Sequence, residues 1–202
     1  MSAQQAELAQ VRVRDAGLMN RVSIELRDYR EVNASEGFDA VVSVGMAEHV
    51  GRENLPGYFK SAWALLRPGG VFLNHALGEG GQADRFRGPS FVDAYIFPDS
   101  DIPPLPLTLA AAAEAGFEVR DVENLREHYT LTLRHWVRRL EAAHERALQF
   151  VNEATYRIWR VYLAGSAHGF DHGDLAIYQS LLAKPTASGR VDLPLTRQDW
   201  YR

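Results

Sequence analysis

Three observations predict an α/β fold with a parallel sheet. FDAVVSVGM (38–46) is a short β-branched apolar run, the pattern of a strand buried on both faces. Residues 53–66 follow with Leu55, Phe59, Ala62, Trp63 and Leu66 at helical spacing, and VFLNHAL (71–77) is a second apolar run. Strand, helix and strand in that order form a βαβ unit, whose two strands run parallel.

The other elements are read in chain order. Residues 3–16 place Ala6, Leu8, Ala9 and Val13 near helical spacing, with Gly17 as a stop signal. Val22, Ile24 and Leu26 alternate with polar neighbours and predict a strand ending at Asp28. Arg67-Pro68-Gly69-Gly70 closes the helix of residues 53–66. Residues 78–106 carry nine Gly and Pro between Gly78 and Pro106, and a stretch of that length without periodicity is either functional or disordered. Its Phe86, Phe91, Tyr95 and Phe97 mark it as a packed lid or substrate wall. A helix at 107–115, a strand at 117–125, helices at 131–149 and 153–164, and a strand at 176–184 complete the expectation, with loop to Arg202.

The composition, with 202 residues, 46% apolar and 24% charged, is that of one globular domain. No run of about 18 uncharged apolar residues is present, so no spanning helix is expected. MSAQQAELAQVRVRD has no apolar signal core, and a cytoplasmic location follows as the expectation. The absence of cysteine excludes disulfides, thiol nucleophiles and cysteine-ligated zinc, and fits a reducing compartment. A formal net charge of -4 argues against general nucleic-acid binding.

Ligands of open parallel sheets sit beyond the carboxyl ends of the strands. Asp28-Tyr29-Arg30, Glu48-His49 and His75-Ala76-Leu77 fall there. Taken singly, each has a structural alternative. Glu48 reads equally as a helix-capping carboxylate, His75 as a hydrogen-bonded core histidine and Tyr129 as a packed aromatic. His168 and His172 read as loop histidines and not as a metal pair. Arg134, Arg138 and Arg139 beside Trp136, with Arg157 and Arg160 near Trp159, suit either anionic lipid headgroups or a solvated face paired with Glu141 and Glu145.

Together these segments resemble a known family. FDAVVSVGMAEHVGRENLPGYFKSAWALLRPGGVFLNHAL is similar to the cyclopropane-fatty-acyl-phospholipid synthases, a group of S-adenosylmethionine-dependent methyltransferases that includes mycolic acid cyclopropane synthases. The similarity continues through AYIFPDSDIPPL, LREHYTLTLRHWVRRL, YRIWRVYLAGSAHGF and AIYQSLLAK, so it covers nearly the whole chain. The fold it implies is a Rossmann-like class I methyltransferase sheet lacking its first strands, with helical substrate-binding insertions. Residues 1–202 are then one partial methyltransferase domain, with 78–106 and 127–170 as lipid-substrate elements.

The resemblance implies a bicarbonate ion bound by Glu48, His75 and Tyr129, with the backbone of Leu77 as a further contact. Ser2-Ala3-Gln4-Gln5 resembles the stretch that reaches the cofactor ribose, which makes Gln5 its contact. Asp28 and Tyr29 resemble the pair beside the adenine. The implied reaction is attack of a cis double bond on the sulfonium methyl. The carbocation that develops needs water excluded, aromatic faces nearby and a base for the departing proton. The implied product is a cyclopropane or a methyl- or methylene-branched lipid, and the implied partners are an unsaturated phospholipid or fatty acyl substrate and a peripheral membrane contact at the inner surface. No G-x-G-x-G segment follows a first strand here, so the expectation is an N-terminally truncated reading frame with weakened cofactor binding and impaired catalysis by this chain alone. The competing expectations are a non-catalytic lipid-binding or accessory subunit that pairs with another chain, a degenerate remnant of the family in which residues 22–27 pair directly with 38–45, and a methyltransferase of a small soluble metabolite.

Overall fold

The computed structural model describes residues 2–81, 90–98 and 100–198. Phe86, part of the expected aromatic wall, lies outside them. The chain divides into two compact units, Met1–Ser35 and Glu36–Arg202.

The first unit holds helix α1 (Ala3–Asp15). Its start is a reciprocal capping box, in which the Ser2 hydroxyl accepts from the Gln5 N–H and the Gln5 side chain accepts from the Ser2 N–H. The strand expected at 22–28 does not form, and a single 3-10 turn at Tyr29–Glu31 follows instead. Val22 and Leu26 are exposed. Alternation alone cannot make a strand where no neighbour accepts its backbone hydrogen bonds.

The second unit contains β1 (Phe38–Val44), α2 (Leu55–Leu65), β2 (Leu66–Glu79), α3 (Phe91–Tyr95) and α4 (Leu105–Glu114). β3 (Glu118–Asn124), α5 (Arg126–Ala142), α6 (His144–Ala147), α7 (Glu153–His172) and β4 (Leu175–Ala183) complete it. The sheet order is β1-β2-β4-β3. β1 and β2 are parallel, as the βαβ pattern requires, but β4 runs antiparallel to both β2 and β3, so the sheet is mixed. The reversal begins at Gly173, whose φ of +78° ends α7 and sends the chain directly back into the sheet. A close approach fixes the same corner: a Cβ on Gly80 would lie 2.0 Å from the Gly173 carbonyl oxygen.

Three further expectations are corrected. β1 is not buried on both faces, since Val42 is 62% and Val44 67% exposed. It is the edge strand of the described sheet, and burial is set by neighbours that its own sequence does not name. The Arg67–Gly70 stretch is already part of β2, with a register shift between Phe38 and Ala40 where the glycines pass. His168 and His172 lie on α7, not in a loop, with ring centroids 3.9 Å apart.

Two layers of helix cover the sheet. On one face, Leu55 and Phe59 of α2 pack with Leu66, Phe72 and Phe117, all 4% exposed or less. Tyr58 donates to Asn74 Oδ1 at 2.8 Å in the same layer. Lys184 ends α2 by donating to the Trp63 and Leu66 carbonyls at 2.9 and 2.6 Å, and burial pulls its pKa down. On the other face, α5 and α7 bring Leu133, Leu163, Ala167 and Phe170 onto Ile177, with Leu77, Tyr129 and Tyr162 against this cluster. Among the described residues no helix is long and apolar enough to cross a membrane.

Candidate active site

β2 alternates strictly from Gly70 onward. Phe72, Asn74 and Ala76 are buried against α2, so His75 and Leu77 project to the face that α5 and α7 cover. Beyond β1, the chain turns at Gly45, whose N–H donates to the His75 carbonyl at 2.9 Å. A short 3-10 turn, Ala47–His49, then carries Glu48 toward the end of β2. Asp101 pins this turn from the other side. Its N–H donates to the Glu48 carbonyl at 2.9 Å, and its carboxylate takes the Arg52 N–H at 2.8 Å and the Arg52 guanidinium at 2.7 Å. Arg52 in turn holds the Asp101 carboxyl below the usual carboxylate range.

Glu48 does not cap a helix. It is 4% exposed, and its Oε1 accepts from the Leu77 N–H at 2.7 Å. Its Oε2 is buried with no hydrogen-bond partner. A buried carboxylate oxygen left unpaired costs on the order of 1–3 kcal/mol or more, so an acceptor with no partner among the described residues calls for one.

Tyr129 lies within reach of the Glu48 charge, and His75 lies beside Tyr129. Their ring centroids are 6.4 Å apart. Burial first, and the nearby Glu48 charge second, push the Tyr129 phenol upward, so its O–H remains a donor through neutral pH. Tyr162 is raised first by burial, opposed by a hydrogen bond with Ser166, and then by Tyr129 and Glu48. The structure therefore gathers Glu48, His75, Leu77 and Tyr129, and adds Tyr162. Aromatic rings extend from them. Tyr129 meets Phe170 at 5.1 Å and Trp136 at 6.3 Å; Phe97 meets His49 at 5.4 Å and Tyr162 at 5.9 Å. Phe97 is thus the wall residue of the 78–106 segment, whereas Tyr95 is 62% exposed.

A second residue outside the sequence expectation is Gln179. It sits directly across the ladder from His75, with Nε2 3.1 Å from His75 Nδ1. With the amide nitrogen on this side, the contact suits an imidazole that accepts at Nδ1. Nothing in the spacing of residues 75 and 179 announces this pair.

Gln5, Asp28 and Tyr29 belong to the first unit. The Gln5 oxygen is committed to Ser2, and the amide nitrogen of Gln5 has no partner among the described residues. The Asp28 carboxylate grips the Arg30 guanidinium at 2.9 and 2.6 Å and the Arg30 N–H at 2.9 Å. The Arg30 side chain is the main cause of its pKa falling to about 2.

The mycolic acid cyclopropane synthetase family model matches residues 1–180. The chain belongs to that family. A probable fatty acid methyltransferase of Pseudomonas putida is 43% identical over 206 residues, covering 100% of this chain and 52% of that protein. The cyclopropane-fatty-acyl-phospholipid synthase of Escherichia coli K12 is 33% identical over 189 residues, or 94% of this chain and 47% of its own length. A mycolic acid cyclopropane synthase complexed with SAH and CTAB superposes with a TM-score of 0.79 at 30% identity, over 90% of this chain and 67% of that one. This chain thus spans about half the length of the curated relatives it matches. The solved cyclopropane synthases share its fold, and the sheet described above is the corresponding part of a class I methyltransferase.

Proposed function

We propose that this chain serves S-adenosylmethionine-dependent methyl transfer to the cis double bond of an unsaturated phospholipid acyl chain. The product is a cyclopropane or a methyl- or methylene-branched lipid. The observation that carries the reading is the buried Glu48 Oε2, unpaired among the described residues, close enough to Tyr129 for its charge to act on the phenol, with the His75 ring 6.4 Å from that of Tyr129.

That donor and acceptor set fits bicarbonate. Glu48 Oε2 would accept a hydroxyl proton from the ion, and the His75 imidazole and the Tyr129 O–H would donate to it. Held there, bicarbonate supplies a small base for the proton lost during alkylation. In this structure the Leu77 N–H is engaged by Glu48 Oε1, so its part is to orient the carboxylate. Gln5, through its amide nitrogen, and Asp28 with Tyr29 are the residues that would hold the adenosine of S-adenosylmethionine, which supplies an electrophilic sulfonium methyl. The rings of Phe97, Tyr129, Tyr162 and Phe170 exclude water and offer π faces to positive charge on the acyl chain.

The test supplies the 202-residue chain with methyl-labelled S-adenosylmethionine, bicarbonate and vesicles of cis-unsaturated phosphatidylglycerol. Label in the acyl chains, with upfield cyclopropane or branch signals in the proton NMR spectrum, is the expected result. Label confined to headgroups or to soluble acceptors overturns it.

Gln179 acts here as a positioning residue. Gln179→Leu is expected to lower turnover on the order of tenfold, as other groups that orient a functional imidazole do. It should also change the nitrogen-15 spectrum of His75 from a single Nε2–H tautomer to a mixture. A wild-type His75 found as the Nδ1–H tautomer removes this role whatever the turnover.

A further inference from the structure

We propose that the turn joining α6 to α7 is where this chain docks on an anionic phospholipid bilayer. Leu148, Phe150 and Val151 are 36%, 82% and 38% exposed. This is no slack loop. Leu148 N–H bonds to the His144 carbonyl at 3.0 Å, Gln149 N–H to Arg146 at 3.2 Å, and Phe150 and Val151 N–H to Ala147 at 3.0 and 3.1 Å. Asn152 then caps α7, accepting from the Thr155 N–H at 2.8 Å. A closed backbone therefore holds three apolar side chains in water, and Phe150 makes no ring contact among the described residues.

The charge around them is selective. Arg134 pairs with Asp171, Arg157 with Glu153, and Arg160 with Glu141. Arg138 and Arg139 at the end of α5, and Arg146 on α6, are exposed and have no carboxylate partner among the described residues. Glu145 is the sole carboxylate from residue 142 to residue 152. Exposed apolar residues at 148, 150 and 151, preceded within twelve residues by three arginines without a carboxylate partner among the described residues, match a surface that is anionic at its face and hydrocarbon beneath. Two such signals together are what reversible bilayer attachment requires. An acidic protein would satisfy the arginines and leave Phe150 without a depth to enter.

The proposal goes beyond the reaction above by naming the surface from which acyl chains are taken. Vesicle binding needs neither cofactor nor turnover, so the two readings fail separately. The experiment is co-sedimentation of the 202-residue chain with phosphatidylcholine vesicles, alone or with equimolar phosphatidylglycerol. Binding is expected only with phosphatidylglycerol and is expected to weaken with salt. Phe150→Ser should weaken it about tenfold, and the combined Arg138→Gln, Arg139→Gln, Arg146→Gln variant about a hundredfold at low salt. All these side chains are exposed, and unchanged circular dichroism verifies the fold. Because the chain has no cysteine, Gln149→Cys gives a unique label site. An environment-sensitive dye there should shift to the blue on anionic vesicles, while one at Glu114→Cys on α4 should not. Equal binding to neutral vesicles, an unshifted dye at residue 149, or Phe150→Ser abolishing self-association while vesicle binding persists, overturns the proposal.

Discussion

Replacing Glu48 with glutamine is expected to lower methyl transfer by about 10²–10⁴-fold, the range for losing a positioned acid–base element, while the chain stays folded. Glutamine preserves the volume, and its oxygen can still accept from the Leu77 N–H that Glu48 Oε1 engages at 2.7 Å. What changes is the other end. The bare acceptor Oε2 becomes an N–H donor, which faces the hydroxyl it was meant to receive. The same substitution trades a buried charge for a neutral amide that is cheaper to desolvate. Thermal stability should therefore hold or rise, by about 1 kcal/mol. Loss of turnover with retained stability separates a reaction role from a packing role. Turnover of the variant within about threefold of the parent, when a general base is worth far more, would remove Glu48 from the site.

Much of this site was legible in the sequence only because four segments could be read together. The βαβ pattern points to the carboxyl ends of the parallel strands, and the structure puts Glu48 in the turn beyond β1 and His75 opposite Val44, the last residue of β1, though β2 itself runs on to Glu79. Tyr129 had no such signal. α5 begins at Arg126 behind Leu125, which offers no side-chain cap, so the helix start was read five residues late, at 131. The sequence pattern carries a helix over 153–164 and stops one residue before Gly165. The helix runs through it to Gly173, since Leu163, Ala167 and Phe170 anchor its buried face on β4, and that packing outweighs the roughly 1 kcal/mol cost of one glycine. Tyr162 and Gln179 could not be found at all. Their roles arise from contacts with residues far away in sequence, and neither sits in a periodic pattern that differs from ordinary core. The exposed β1 has the same origin. Val42 and Val44 spell a buried strand, but burial belongs to the neighbour and not to the strand.

Phe59→Ala is expected to cost about 3–5 kcal/mol, a large share of the roughly 5–15 kcal/mol that holds a domain folded. Phe59 is 0% exposed, and its ring meets Tyr58 at 4.9 Å, Phe72 at 6.2 Å and Phe117 at 6.4 Å. The rings that border the void alanine would leave are themselves buried and packed on one another, Phe72 meeting Phe117 at 5.8 Å and Tyr58 at 6.0 Å. The effect reaches the site through β2. Phe72 and Asn74 face this core while His75 and Leu77 face the opposite helices, so one strand carries both layers. Loosening the α2 face lets β2 slide or twist, and Leu77 N–H then leaves Glu48. Urea titration should show a lowered midpoint with little change in slope. Phe59→Leu, which keeps most of the volume, should cost less than about 1.5 kcal/mol and leave turnover near the parent value under conditions where it is folded. A Phe59→Ala loss below about 1 kcal/mol, far short of an aromatic core truncation, would mean that α2 is not what holds β2 in place. The position of His75 would then have to be set by β4 and Gln179 alone.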